Sequence, residues 1–266
     1  MFKFTKYLRS GVVLSAITAI SLGLSAGSVN AQEEDDKKEG QRVVKVDCGK
    51  GDEPQKVLET YAFETKPLIL IIEGTCENAA VEVTRDNVEF VGAGPYEQRG
   101  YITGVLKVEG GRGVSIGDNM MLDDLVIEYG QVFLDAEEGT ITIYAGVGVN
   151  FQSVLNIGSV TTSGSVIIES SISLLNQSLL LIQQDELASE GSVTTGNIYA
   201  SLQSSLNARK ANIGDLNLGS DSHASFDLTV KHNGDDPGTI GCDSESRVWG
   251  LVDLNEFMWV GPCLGI

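Results

Sequence analysis

Short segments rich in β-branched residues recur along this chain at intervals of roughly 25 residues, and three rows of segments share this period. The first row begins at Val88, Val114, Ile141, Val166, Val193 and Leu216, the second at Leu125, Val147, Ile172, Ile198 and Ala224, and the third at Val105, Val132, Val154 and Leu179. Three short strands per repeat predict an all-β fold, a right-handed parallel β-helix (solenoid) of about six coils.

Stacking explains why such a sequence folds, because one coil alone cannot bury its apolar side chains. The first row predicts an inward column of Val88, Val114, Ile141 and Val166, with Ser115, Thr142 and Ile167 facing outward. A sandwich of antiparallel hairpins is the alternative fold, but it predicts no fixed repeat of this length.

The bend between the second and third rows needs residues that tolerate a left-handed backbone. Gly130, Asn150 and Asn176 occupy it in successive coils, and glycine and asparagine are the residue types that adopt this conformation most easily.

Both ends of a solenoid need caps, since an open end would recruit other chains. The predicted N-terminal cap is Val43–Tyr61, with a short helix over Pro54–Tyr61, and the predicted C-terminal cap is Cys242–Ile266. Each cap region holds cysteines. Four cysteines in an exported chain favour two disulfides with three possible connectivities, of which Cys48–Cys76 and Cys242–Cys263 are preferred because each pair lies at one end. A zinc site is the less favoured alternative, because the chain has no C-x-x-C and two histidines.

The N-terminus is typical of an export signal: Lys3, Lys6 and Arg9 precede an apolar stretch, and small residues lie before a cleavage site near Ala31. The predicted organisation is a signal peptide at 1–31, a disordered acidic leader at 32–42 and one β-helix domain at 43–266. A secreted or periplasmic protein without an integral membrane segment is expected.

The chain is strongly acidic, with a formal charge of −19 that becomes −22 once the three basic residues of 1–31 are removed. Such a charge disfavours nucleic acid and anionic lipid as partners. Solubility accounts for the acidity, with binding of divalent cations such as Ca²⁺ as the alternative.

The segment Val46–Gly94 resembles the opening of many secreted β-helix proteins of the pectate lyase-like superfamily. The shared elements are Cys48, the turn from Gly74 to Asn78 (GTCEN) and a strand from Val88 to Gly92. The resemblance covers about a fifth of the chain and implies the fold and the Cys48–Cys76 bridge, but no activity.

Two groups of charged residues are weak candidates for catalysis or metal binding. Asp123 and Asp124 form a paired carboxylate like that of polygalacturonases, but that family's Gly-His-Gly and Arg-x-Lys elements are absent from the sequence. The second group is expected to stack at one turn, with Arg112 as a base and Glu137 and Glu138 holding Ca²⁺; its members are Arg85, Asp86, Arg112, Glu137 and Glu138. A solvated turn and a surface charge ladder are the simpler interpretations.

The favoured functional interpretation is an exported, non-catalytic β-helix that contacts a polysaccharide or a cell-surface glycan. The hydroxylated outward residues of the first row are the expected contact face, for example Ser115, Thr142, Ser165, Ser192 and Thr194. The alternative is a small polysaccharide-active enzyme, a lyase or a hydrolase.

Overall fold

The computed structural model describes residues 40–95, 98–159, 163–184, 192–252 and 256–263, which form a parallel β-solenoid. The predicted all-β β-helix is confirmed, but it has about eight coils instead of six, with 5% helix. The sequence-based count is too low because the first row, from Val88 to Leu216, leaves out strands before and after it. The predicted signal peptide and its cleavage site near Ala31 lie outside the described residues. So does the leader, except for its last three residues.

The described residues contain 21 strands and one α-helix, α1 (Pro54–Thr60), preceded by a 3₁₀ turn at Cys48–Lys50. The strands are β1 (Arg42–Asp47), β2 (Leu68–Val83), β3 (Val88–Gly92), β4 (Gly100–Glu109), β5 (Val114–Ile116), β6 (Met120–Glu128), β7 (Gln131–Asp135), β8 (Thr140–Asn150), β9 (Val154–Ser159), β10 (Ser165–Ile168), β11 (Ser171–Leu174), β12 (Leu179–Gln184), β13 (Ser192–Thr195), β14 (Ile198–Ala200), β15 (Ser205–Arg209), β16 (Asn212–Ile213), β17 (Leu216–Leu218), β18 (His223–His232), β19 (Gly238–Cys242), β20 (Arg247–Val252) and β21 (Phe257–Val260).

Every strand pairs in parallel with strands one coil above or below, and the pairings form two faces. The first sheet stacks β1, the start of β2, β3, β5, β7, β9, β12, β15, the start of β18 and β20. The second sheet stacks the rest of β2, β4, β6 and β8, then the pairs β10–β11, β13–β14 and β16–β17, and finally β19 and β21. The core lies between the two sheets.

Strands of the second sheet bend in the middle, and the bend changes along the solenoid. In the early coils one long strand continues through a bulge, for example where the register of β4 against β6 shifts between Ile102 and Val105. From residue 165 onward the strand is interrupted instead, as between β10 and β11. Three strands per coil, as predicted, therefore describes the later coils.

The predicted columns are partly wrong, because they mix the two sheets. Ile141 pairs with Val166 in the second sheet as expected, but Val114 pairs with Val132 in the first sheet. Val88, Val114, Ile141 and Val166 are all buried nevertheless. Both sheets alternate inward and outward residues with nearly the same period, so the period alone does not distinguish them.

The same mixing affects the ends of the rows. Leu216 pairs with Ile198 and Ala224 pairs with Leu206, outside their predicted rows. Val105, which begins the third row, lies in the second sheet, whereas Val154 and Leu179 of the same row pair in the first. The inward residues of β9 and β12 include Leu155 and Leu180.

The N-terminal cap forms as predicted, because Pro54 begins α1 and the helix buries Val57 and Leu58 over the first coil. One boundary is wrong: Arg42 belongs to β1, not to the leader, and its guanidinium binds Glu64 at 3.0 Å. The bridges Cys48–Cys76 and Cys242–Cys263 are confirmed, with Cα–Cα distances of 5.0 and 5.2 Å. Two disulfides indicate an oxidising environment, extracellular or periplasmic. Within the described residues, no helix has the length and apolarity needed to span a bilayer.

Candidate functional site: a groove along one column of turns

From β4 to β19, the last segment of the second sheet in each coil is followed by a sharp turn that leads back into the first sheet. These corners lie one above another, and we call them the turn column: residues 110–113, 129–130, 150–153, 175–178, 201–204, 219–222 and 243–246. Four successive corners contain two adjacent non-glycine residues with positive φ, namely Phe151 and Gln152, Asn176 and Gln177, Leu202 and Gln203, and Ser220 and Asp221. Of the three predicted bend residues, Asn176 has positive φ, whereas Gly130 and Asn150 do not.

Two left-handed residues in a row reverse the chain over a short distance, as in a type I′ turn. Placing L-residues there costs about 1–2 kcal/mol each, so something must fix the turn. A serine after each pair does this by donating its hydroxyl to the carbonyl three residues earlier: Ser178 to Leu175 at 2.6 Å, Ser204 to Ser201 at 2.7 Å and Ser222 to Gly219 at 2.7 Å. Ser153 donates in the same way to Asn150.

These serines also connect neighbouring coils. The hydroxyl of Ser204 accepts the backbone N–H of Ser178 at 3.3 Å, and Ser246 accepts that of Ser222 at the same distance. Ser153 likewise accepts the N–H of Gly130 at 3.3 Å. All five serines are buried, so their hydroxyls satisfy backbone groups that water does not reach.

On the outer side of the turn column the side chains form ladders of their own. Gln152 donates to Gln177 at 3.0 Å, and Gln177 donates to Gln203 at 3.1 Å, both amide to amide. One coil earlier, the rings of Tyr129 and Phe151 stack with centroids 5.1 Å apart and planes 11° apart. The left-handed residues therefore project an ordered row of side chains to solvent.

This row lines an open groove of 1010 Å³ that crosses six successive corners. Its lining residues are Tyr129, Phe151, Gln152, Asn176, Gln177, Leu202, Gln203, Ser220, Asp221, Ser244, Glu245 and Arg247. A smaller cavity of 310 Å³ extends it beyond Tyr129 to Arg112. Tyr129 is 62% exposed and Leu202 is 48% exposed, so the groove offers apolar surface beside the amides.

The charged residues of the groove lie at its C-terminal end. Its middle is neutral, whereas Asp221, Glu245 and Arg247 lie towards the C-terminal end. The corner at 243–246 has no residue with positive φ and depends on Asp243, which accepts the backbone N–H groups of Ser246 at 2.9 Å and Ser220 at 2.6 Å. Hydrogen bonds from Ser246 and from the Ser220 backbone lower the pKa of Asp243.

Asp123, a candidate from the sequence, is engaged in holding the bulge of the second sheet. Its carboxylate accepts the hydroxyl of Tyr101 at 2.5 Å and the backbone N–H of Gly104 at 3.1 Å. The hydrogen bond to Asp123, followed by burial, raises the pKa of Tyr101 to about 12. Both oxygens of Asp123 thus bind β4, where the chain passes through its bulge.

Asp124 and Arg112 do not converge with Asp123 on one site. Asp124 pairs with Val105 and Gly146 within the second sheet, and five residues of extended chain, about 16 Å, separate it from the turn column at Tyr129. Arg112 is exposed in the turn column, where its backbone N–H donates to Asp86 at 2.7 Å.

Asp86 and Arg112 lie at neighbouring corners, as predicted, but Glu137 and Glu138 lie at a different corner, so the prediction that they stack with Arg112 is wrong. Their backbone N–H groups donate to Asp118 at 2.9 and 3.1 Å in the connection between β7 and β8. Near them, burial and then the charges of Glu137 and Asp118 raise the pKa of Asp135. Throughout the described ranges, no group of three or more His, Cys, Asp or Glu side chains is arranged to hold a metal ion.

The expected glycan face is also distributed differently from the prediction. Ser115 lies in the first sheet, whereas Thr142, Ser165, Ser192 and Thr194 lie in the second, and Thr142 is 6% exposed. These residues do not form one continuous surface.

Sequence reasoning placed a bend at Gly130, Asn150 and Asn176, which lie in the turn column, but it missed the glutamine and serine ladders there, although a signal for them is present. Gln-Ser recurs at 152–153, 177–178 and 203–204, followed by Asp-Ser at 221–222 and Glu-Ser at 245–246. A search for recurring polar pairs, in addition to apolar ones, would have found this second periodic feature. Comparison of the chain with models of known protein families, with curated proteins and with solved structures gives no match.

Proposed function

We propose that this protein is an exported, non-catalytic β-helix that contacts glycans through the groove along its turn column. The observation that carries the proposal is the row of exposed amides and apolar side chains across the first four of the six corners, from Tyr129 to Gln203. Sugars present hydroxyl groups that both donate and accept hydrogen bonds, and the amides of Gln and Asn do the same. The exposed surfaces of Tyr129, Phe151 and Leu202 suit the apolar faces of sugar rings.

Backbone conformation supports a role for these side chains. Phe151 and Leu202 are bulky residues at φ of 56°, a conformation that glycine would adopt without a penalty. Strained residues of this kind concentrate at functional sites, because only a need for the side chain keeps them there.

Export is part of the proposal. The basic and apolar N-terminal segment with its cleavage site near Ala31 fits the oxidising environment that the two disulfides indicate. Together with the parallel solenoid, the resemblance of Val46–Gly94 supports a place in the pectate lyase-like superfamily. That superfamily contains enzymes and proteins without known activity, so membership alone does not decide the function.

Non-catalytic binding is favoured over a lyase or a hydrolase because the candidate groups are dispersed. Asp123 binds Tyr101 and Gly104, and Arg112 lies at another part of the coil. A glycosidase needs two carboxylates facing each other across the substrate, whereas Asp221 and Glu245 lie on successive corners along one column of the groove.

The test is to incubate the purified protein with a panel of neutral and acidic polysaccharides, with and without Ca²⁺. Retention on a glycan without new reducing or unsaturated ends is expected, and cleavage would establish the enzyme instead. The variants Phe151→Ala and Gln177→Ala should weaken retention. Tyr199→Ala is the matched control, since Tyr199 is 44% exposed on β14, outside the groove. Equal retention of all variants would place the contact elsewhere.

A further inference from the structure

The amide ladder leaves unused hydrogen-bonding capacity at regular intervals. Gln177 accepts one hydrogen bond from Gln152 and donates one to Gln203. A primary amide has two N–H groups and an oxygen with two acceptor positions, so Gln177 retains one donor and one acceptor after the ladder forms. Each bond to a neighbour also fixes the orientation of the amide, which removes rotational freedom before a ligand arrives.

The interval between these groups is set by the backbone. Strands of neighbouring coils lie about 4.8 Å apart, so the six corners of the groove span about 24 Å along the solenoid axis. A linear polysaccharide in extended form advances by a similar distance per sugar. A ligand lying parallel to the axis therefore meets the glutamine amides of three successive corners, one at each sugar, whereas a ligand lying across it meets one corner.

Charge narrows the ligand class further. The amides of Gln152, Gln177 and Gln203 carry no charge, and the carboxylates of Asp221 and Glu245 lie along the same line of corners. The whole chain has a formal charge of −19, so its field repels polyanions over the groove. Neither the carboxylates along the groove nor the net negative charge of the chain repels an uncharged ligand.

We propose that the groove takes a linear, neutral polysaccharide, lying parallel to the solenoid axis with one sugar over each corner from Tyr129 to Glu245. This inference rests on the proposed glycan-contact function and specifies its ligand class, its direction and its length. Phe151 and Leu202 contact the apolar faces of the sugars, and the glutamine ladder binds their hydroxyls.

A length series tests the direction of the ligand. Titration calorimetry with β-1,4-linked glucose, mannose and xylose oligosaccharides of two to eight sugars should show affinity rising with length and levelling off near six. The expected gain is about fivefold per sugar, which corresponds to one net hydrogen bond of about 1 kcal/mol. Equal affinity for short and long oligosaccharides would overturn the parallel arrangement.

Substitution of the central glutamine tests the ladder. Gln177→Leu should reduce affinity for a hexamer at least fivefold and flatten the length dependence, because the ladder is interrupted at its middle. Asn207→Leu removes an exposed amide from the outer face of β15 and should leave both unchanged. Thermal melts of both variants separate loss of binding from loss of folding. Unchanged binding by a folded Gln177→Leu would overturn the role of the ladder.

Polygalacturonate and alginate of matched length test the proposed ligand class separately from the proposed glycan-contact function. Binding of these anionic chains in preference to the neutral ones would overturn the ligand class while leaving glycan contact intact. Absence of binding to every neutral and anionic chain would overturn the proposed function itself.

Discussion

The same corner of the coil is built in two ways, and the difference separates the early part of the solenoid from the later part. At 110–113 the chain turns with glycine, at Gly110 with φ of 74° and at Gly113 with φ of 67°. From residue 151 it turns with pairs of side-chain-bearing residues, each followed by a buried serine. Glycine makes the first corner without strain but presents no side chain there. In the later corners the left-handed backbone is strained and a serine hydroxyl offsets this strain. The side chains of these corners form an ordered outer surface.

The buried serine should be the element on which the later corners depend most. Ser204→Ala removes the acceptor for the buried Ser178 N–H and the donor to the part-buried Ser201 carbonyl, which leaves the N–H unsatisfied. The free energy of unfolding should fall by about 1–3 kcal/mol, measured by denaturant titration. Ser205→Ala, at the half-buried next position, is the control and should change it by less than about 0.5 kcal/mol. Equal effects would mean that the hydroxyl does not fix the corner.

The glycine corner should tolerate a side chain poorly. Gly113→Ala forces alanine to φ of 67° and brings its Cβ to 3.0 Å from the Asn87 side chain, so unfolding should become easier by about 1–2 kcal/mol. Gly110→Ala has no atom within 4 Å of the new Cβ and isolates the backbone effect. If both alanine variants were as stable as the native protein in thermal melts, the early corner would need no glycine. The proposed difference between the early and the later corners would then be wrong.

Replacing leucine by glycine at a later corner should change the free energy of unfolding little, but it should remove apolar surface from the groove. Leu202→Gly relieves the strain of leucine at φ of 56° but adds flexibility to the unfolded chain, and these effects nearly cancel. We expect a change below about 1 kcal/mol in chemical denaturation, together with weaker glycan retention. Leu206→Ala, at a buried position of the next strand, should lose about 2–5 kcal/mol in the same assay. A large loss from Leu202→Gly would instead make Leu202 a structural residue.

The smallest effect should be a local pH dependence confined to the last corner. The pKa of Asp243 is lowered in the folded protein, so its contribution is present above the pKa of the unfolded chain and is lost as pH falls through the folded pKa. Hydrogen-exchange protection of the Ser220 and Ser246 amides should therefore decrease at about pH 3 relative to about pH 6. Corners fixed by neutral serines, such as 175–178, should keep their protection, and Asp243→Asn should remove the difference. A uniform loss at all corners would point to global acid unfolding.

The fold could be predicted because the residues that form its core and its disulfides can be recognised in the sequence. Inward Val, Ile and Leu recur at the coil period, and each cysteine pair lies within one terminal region. Assignment of segments to sheets failed because Val114 and Ile141 have the same burial and nearly the same spacing in different sheets. Only strand pairing distinguishes them, and pairing is a long-range property.

The candidate site was harder to predict than the fold. Asp123 is a candidate catalyst on sequence grounds, yet its carboxylate binds the backbone N–H of Gly104, a role that its residue type does not reveal. Gln152, Gln177 and Gln203 become a site only because stacking aligns them, and glutamine carries no specific motif. The positive φ of Phe151 and Leu202 opposes the ordinary preference of these residues, so local propensity pointed away from the true corners.

The positions of the two disulfides have a consequence for how the molecule opens. In a solenoid each coil contacts its immediate neighbours, so unfolding resembles a zipper whose end coils, with one neighbour each, separate first. Cys48–Cys76 fastens the first of these ends and Cys242–Cys263 the last. A covalent bond at each starting point forces opening to begin inside the stack, where every coil is held from both sides. The bridges therefore slow the unfolding of the molecule by closing both of its starting points.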